Sequence, residues 1–116
     1  MATPTNQRIL VTGGTGFLGS HVTEELKRRG YTNLTIPRSK THDLRDPNTC
    51  RDLAAQHDAI IHLAANCGGI GYNRDNPYTL LRDNLLMGAH VIDAAVQNNV
   101  QKFVCVGTIC AYPKYT

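Results

Sequence analysis

The stretch Arg8-Ile9-Leu10-Val11-Thr12-Gly13-Gly14-Thr15-Gly16-Phe17-Leu18-Gly19 decides how this chain is read. Its first five residues are rich in aliphatic and β-branched side chains and are closed by a glycine pair, the pattern of a strand buried on both faces. After Gly16 the apolar residues Phe17, Leu18, Val22 and Leu26 recur at helical spacing, and Gly30 supplies a stop. A glycine loop between strand and helix has a physical purpose. Gly13 permits the tight turn, Gly16 lets backbone approach a pyrophosphate, and Gly19 lets helix and strand pack closely. The helix N-terminus adds unpaired N–H groups and a positive dipole end. Strand, glycines, helix and a second strand follow one another within about thirty residues, the length of a βαβ unit. The order implies a dinucleotide site.

Working outward, Asn33 to Ile36 reads as a second strand ended by Pro37. Asp46 is a suitable N-cap with Pro47 in the first helical position, predicting a helix to about His57. Ala59 to Leu63 reads as a third strand, followed by a glycine-rich loop from Asn66 to Gly71. A longer helix is expected over about Pro77 to Asn98, tolerating Gly88, and a fourth strand over Lys102 to Val106. Strict alternation predicts an α/β fold, a Rossmann-type doubly wound parallel sheet with helices on both faces. The expected strand order is 3-2-1-4, which leaves the fourth strand at an edge.

The bulk properties exclude several alternatives. With 116 residues the chain suits one small domain or a piece of a larger one. Hydrophobic residues at 41% and charged residues at 18% describe globular rather than disordered material. The net charge of +3 is scattered, without a basic stripe and interleaved aromatics, so no nucleic-acid partner is expected. Met1 to Arg8 is too short and polar for a secretory signal, and no apolar run spans a bilayer. Cys50, Cys67, Cys105 and Cys110 form no Cys-x-x-Cys pair and no zinc-ligand spacing, so no metal is expected. Reduced thiols in a cytoplasmic protein fit best. Cys50 and Cys105 read as buried small hydrophobes, while Cys67 on the glycine-rich loop stays open.

The end of the second strand speaks to cofactor choice. An acid there grips a ribose 2′-hydroxyl, whereas a basic residue accommodates a 2′-phosphate. Here the strand ends Ile36-Pro37-Arg38-Ser39-Lys40, with no acid. Arg38 and Ser39 could bind a phosphate through charge-assisted bonds, the competing view being that Arg38 and Lys40 are solvated loop charges. NADP is favoured over NAD.

The spacing Gly13-x-x-Gly16-x-x-Gly19 resembles the short-chain dehydrogenase/reductase superfamily, and Thr12 to Gly19 resembles its extended, sugar-nucleotide-modifying branch (the NAD-dependent epimerase/dehydratase family). The resemblance places Thr15, Phe17 and Leu18 beside the glycines in the cofactor loop. It gives Asp43 and Leu44 an adenine-binding role, although an acid at a helix entry needs no such role. It sets Leu63, Ala64 and Ala65 of His62-Leu63-Ala64-Ala65 beneath the cofactor. Gly68-Gly69-Ile70, Asn73, Pro77, Asn84 and Gly107 to Pro113 narrow the similarity to the GDP-L-fucose synthase family, which epimerises and then reduces GDP-4-keto-6-deoxy-D-mannose. In that family the residue at position 108 bonds the keto oxygen, and the cysteine at position 110 moves protons on the carbons beside it. Thr108 and Cys110 are therefore the catalytic candidates, with burial as the competing account of Cys110.

Three departures from the family pattern stand out. Thr15 occupies a position where some members place arginine, and Thr108 replaces the usual serine. No Tyr-x-x-x-Lys pair occurs before Thr116. The resemblance implies that residues 1–116 form the N-terminal portion of the NAD(P)-binding domain of a homodimeric enzyme acting on a GDP-sugar. The remaining catalytic residues and the substrate domain would lie outside this chain, leaving it inactive alone. Another sugar-nucleotide epimerase or dehydratase, or a non-catalytic NAD(P)-binding module, are the alternatives.

Overall fold

A computed structural model describes residues 6–66, 70–107 and 113. The elements are β1 (Ile9–Thr12), α1 (Phe17–Arg28), β2 (Leu34–Thr35), α2 (Pro47–Ala54), β3 (Ala59–His62), α3 (Ile70–Asp75), α4 (Pro77–Gln97) and β4 (Lys102–Cys105). All strand pairings are parallel, with Ile9 to Thr12 in register with Ala59 to His62, and Ala59 to His62 with Lys102 to Cys105. The fold is the Rossmann-type sheet that alternation predicts.

The strand order differs from the expected 3-2-1-4. It is β2-β1-β3-β4, so β3 lies on the far side of β1 from β2. The cause lies in the segment after Pro37. The Thr41 and His42 N–H groups both turn back to the Arg38 carbonyl, at 3.0 and 2.8 Å, and no strand forms before α2. The chain therefore reverses direction across the sheet after two strands, and the strand counted third occupies the next place beyond β1. β4 stands at an edge, as expected.

Local chemistry sets the helix ends. The Asp46 side chain accepts the Asn48 N–H at 2.9 Å, capping α2, and Pro47 takes a position where its missing N–H costs nothing. This helix ends at Ala54 rather than near His57, because the Gln56 and His57 N–H groups bond three residues back in a tightened last turn. Gly30, at φ +93°, ends α1 in the left-handed region. Helix α3 begins at Ile70, inside the stretch expected to be loop up to Gly71.

Period-2 alternation divides the core. Leu10 and Ile60 point to one face, packed against Leu53 and Ala54 of α2 and Val91, Ala94 and Ala95 of α4. Ile9, Val11 and Ala59 point to the other, against Leu26 of α1 and Tyr31. At the carboxyl ends of β1 and β3 two buried polar residues face each other, with Thr12 Oγ1 2.6 Å from His62 Nδ1. The same hydroxyl accepts the Leu63 and Ala64 N–H groups at 3.1 and 3.2 Å. A hydroxyl has one proton and two lone pairs, so its proton is left for Nδ1 and the imidazole carries its own on Nε2.

A protonated His62 would point an N–H at an oxygen with no acceptor to spare. Burial also holds its pKa below the ordinary 6.5. The unfolded chain thus takes up this proton first as pH falls. Stability from His62 is complete above about pH 6.5 and declines as pH drops below it. Thermal unfolding followed from pH 8 to pH 5 should show a falling midpoint, and His62→Gln should flatten that slope between pH 6.5 and 5.

Candidate functional site

The loops leaving β1, β2 and β3 converge on one cleft of about 750 Å³. It opens where the chain reverses direction across the sheet, the position at which open α/β sheets leave a crevice. Its floor is the glycine turn. Gly13 has φ +71°, and a Cβ there would meet Ala64 N at 2.7 Å. A Cβ on Gly14 would lie 2.6 Å from the Ile36 side chain, and one on Gly19 would lie 2.0 Å from the Gly13 carbonyl oxygen. Packing of the chain on itself demands these three glycines. Gly16 is different, since its Cβ would meet only that carbonyl, at an ordinary 3.4 Å. What its missing side chain leaves clear is the cleft, which Gly16 lines.

Gly16 is also the N-cap of α1 and offers no side-chain acceptor, and the first turn holds no acid. The first-turn N–H groups lack partners within the helix. The floor of the cleft is thus a concentration of donors without partners among the described residues, at a positive dipole end suited to an anion. Thr15, Phe17 and Leu18 line it too, and Phe17 is 85% exposed although apolar. A pyrophosphate fits this cradle.

The second wall comes from the segment after β2. Arg38 and Ser39 are exposed and line the cleft. Of the eight arginines, Arg38 is the one whose guanidinium has no partner among the described residues, the others being bound to Asp58, Glu25, Asp43, Asn48, Asp75 or Asp83. Further along, Asp43 lines the cleft with Leu44. Side-chain bonds from Arg45, joined by its backbone N–H, hold the Asp43 carboxyl down at about 2. Leu44 is buried, and its carbonyl accepts the Cys50 thiol at 3.2 Å. Burial raises that thiol to about 11, so Cys50 is inert packing. Cys105 departs from the buried role expected for it. It is exposed, because β4 is an edge strand.

The third wall is Leu63, Ala64 and Ala65 after β3. Every cofactor-site residue named from the sequence lines this one cleft. The catalytic candidates Thr108 and Cys110 lie outside the described residues, as does Cys67. The sequence reading missed Arg45, Asn66 and Asp83, which also line the cleft. Asp83, on α4, is buried, and its carboxylate accepts from Arg82 at 3.0 Å, Arg45 at 3.4 Å and Asn66 at 3.0 Å. Burial alone would raise the Asp83 pKa, but these bonds outweigh it and lower the value. Asn66 and Asn84 exchange two bonds, of 2.7 and 2.9 Å, that fasten the loop after β3 to α4. The available signal for Arg45 was its place two residues from Asp43. Nothing local marks Asp83 as its second partner.

The NAD dependent epimerase/dehydratase family matches residues 9–116. The chain belongs to that family. It is similar to GDP-L-colitose synthase of Yersinia pseudotuberculosis, 36% identical over 92% of this chain and 35% of the relative. It is similar to GDP-L-fucose synthase of Escherichia coli, 32% identical over 93% of this chain and 34% of the relative. It also superposes on a GDP-L-fucose synthetase from Naegleria fowleri bound to NADP, with a TM-score of 0.82 and 28% identity, covering 100% of this chain and 38% of that one. The chain thus spans about a third of the length of the curated relatives it matches. No helix among the described residues is long and apolar enough to cross a membrane.

The glycine geometry separates folding from binding. Gly19→Ala should unfold the chain or lower its melting temperature sharply, because the clash is with backbone that has nowhere to go. Gly16→Ala should change stability by only about 1 kcal/mol, the scale of an N-cap change, while weakening dinucleotide binding severalfold. Calorimetry on both variants with an NADPH titration on Gly16→Ala checks this. Equal thermal losses in the two would refute it.

Proposed function

We propose that this chain is the NADP-binding portion of a GDP-sugar epimerase/reductase similar in chemistry to GDP-L-fucose synthase. On this reading residues 1–116 belong to a longer enzyme, whose Tyr-x-x-x-Lys pair and substrate domain follow them. The observation that carries the cofactor choice is the Arg38 guanidinium, without a partner among the described residues, which lines the same cleft as Ser39 and the glycine turn. A free cation next to a hydroxyl, in a place where an acid would select a ribose 2′-hydroxyl, suits a 2′-phosphate.

The chain's own residues divide the work. The first-turn N–H groups of α1 hold the pyrophosphate, and bare Gly16 lets it approach. Arg38 and Ser39 hold the 2′-phosphate, and Asp43 accepts from the adenine amine beside Leu44. Leu63, Ala64 and Ala65 form a small apolar surface under the cofactor. NADPH bound there supplies hydride to a keto carbon. The Thr108 hydroxyl donates a hydrogen bond to the keto oxygen. Cys110 exchanges protons with a carbon flanking the keto group, which such a carbon permits because the carbonyl withdraws electron density. Helix α4 leaves Tyr78, Leu81, Leu85, Ile92 and Val96 exposed along its length, and that apolar stripe supports a homodimer.

Two measurements on the full-length protein test this. NADPH should bind at least about tenfold more tightly than NADH, the scale of one charge-assisted bond, and Arg38→Ala should erase the preference. Equal affinities in the wild type would overturn the NADP assignment. Cys110→Ser should keep cofactor affinity but abolish solvent-deuterium exchange at the carbons beside the keto group. Undiminished exchange would return Cys110 to packing.

A further inference from the structure

Arg45 is held at all three of its guanidinium nitrogens. Nε reaches Asp43 Oδ1 at 3.0 Å, Nη2 reaches Asp43 Oδ2 at 2.8 Å, and Nη1 reaches Asp83 Oδ1 at 3.4 Å. The Arg45 backbone N–H adds a fourth bond, to Asp43 Oδ1 at 3.0 Å. Asp83 does not need Arg45 for neutrality, since Arg82 already supplies a cation 3.0 Å away. Arg45, in contrast, needs Asp83. A guanidinium gripping one half-exposed carboxylate on a loop is free to swing with it, and such exposed pairs contribute little to folding. Fastened to a buried carboxylate on α4 that Asn66 also holds, the fork is fixed relative to the sheet. The arrangement does little for stability and much for the orientation of Asp43.

We infer that Arg45 is a positioning residue that makes the cleft selective for a 6-aminopurine, by fixing Asp43 so that a single acceptor position remains for a ligand. A carboxylate has about four lone-pair positions. Three are taken by Arg45, two on Oδ1 and one on Oδ2, so the one left lies on Oδ2. An ionised carboxylate cannot donate, and Arg45 holds Asp43 in that form. The remaining position accepts an exocyclic amine and is opposed by a carbonyl oxygen at the same place. Freed from Arg45, the carboxylate can rotate and accept instead from the ring N1–H that the hypoxanthine base carries and adenine lacks, so discrimination falls. The inference rests on the reading above that the adenine end of NADP lies at Asp43.

The test compares NADPH with its hypoxanthine analogue, in which a carbonyl replaces the 6-amino group, by titration into the full-length protein at pH 7. The wild type should prefer NADPH by about tenfold or more, the scale of one bond to a charged group. In Arg45→Met the ratio should fall below about threefold, because the carboxylate is no longer pre-oriented. Arg45→Lys keeps a cation between Asp43 and Asp83 but loses the fork. It should lose discrimination in the same sense, and it carries the test if the methionine variant does not fold. A general structural role would weaken both ligands by one factor and leave the ratio unchanged, which would overturn the inference while leaving the NADP reading intact. A wild type that binds NADPH with no preference over the analogue would overturn it too. Failure of the wild type to bind NADPH at all would overturn both.

Discussion

The carbonyl oxygen of Gly13 and the Cα of Gly19 lie so near each other that a single methyl group would not fit between them. From that contact the first helix takes its starting point against the first strand, and with it the direction in which its unpaired N–H groups point. The other loops close on the same turn. Gly13 is touched by the backbone at Leu63 and Ala64 after β3, and Gly14 by the Ile36 side chain after β2. Three strand ends are thus brought to one small patch of bare backbone, and the cleft is the space they enclose. Close packing of this kind cannot yield by fractions of an ångström, which is why glycine is needed at three neighbouring positions.

Around that turn, stability and recognition rest on different interactions. The fold is held by two apolar faces, Leu10 and Ile60 with α2 and α4 on one side, Ile9, Val11 and Ala59 with α1 on the other. Between them at the top of the sheet, Thr12 and His62 satisfy each other in a buried site and tie β1 to the loop after β3. The charged groups are mostly exposed pairs such as Arg8 with Asp58, which contribute little to stability in water. Asp83 is the exception. It is buried, and a charge there is tolerated because Arg82 and Asn66 donate to it at 3.0 Å, with Arg45 a more distant third donor at 3.4 Å. The carboxylate acts as an anchor beneath the cleft, and Arg38, left without a carboxylate among the described residues, is the cation available to a ligand.

Much of this was legible in the chain itself. The strand–glycine–helix order, the Asp46 cap with Pro47 and the alternation of strands with helices are local patterns, governed by backbone sterics and by burial of side chains a few residues apart. They were enough to establish a parallel α/β sheet, helices on both faces and the loops that form the cleft. The ends of elements were less legible. β2 shrinks to Leu34–Thr35, and α3 begins where a glycine-rich loop was expected, because these limits depend on pairing and packing rather than on local preference.

What only the tertiary structure decided are relations between distant residues. The order β2-β1-β3-β4 follows from turns after Pro37 that prevent a strand, and no periodicity announces an absent strand. Cys105 and Cys50 look alike in sequence, yet one sits on an edge strand and the other beneath Leu44. The distinction between Gly16, whose bare Cα faces no close contact and lines the cleft, and Gly13, Gly14 and Gly19, which the chain's own packing requires, is a matter of which atoms arrive from elsewhere. So is the bond from Arg45 to Asp83, thirty-eight positions away. Sequence determines which side chains can donate, accept or turn tightly, since those properties belong to single residues. Folding decides which of them meet, since distance in space is set by the packing of the whole sheet.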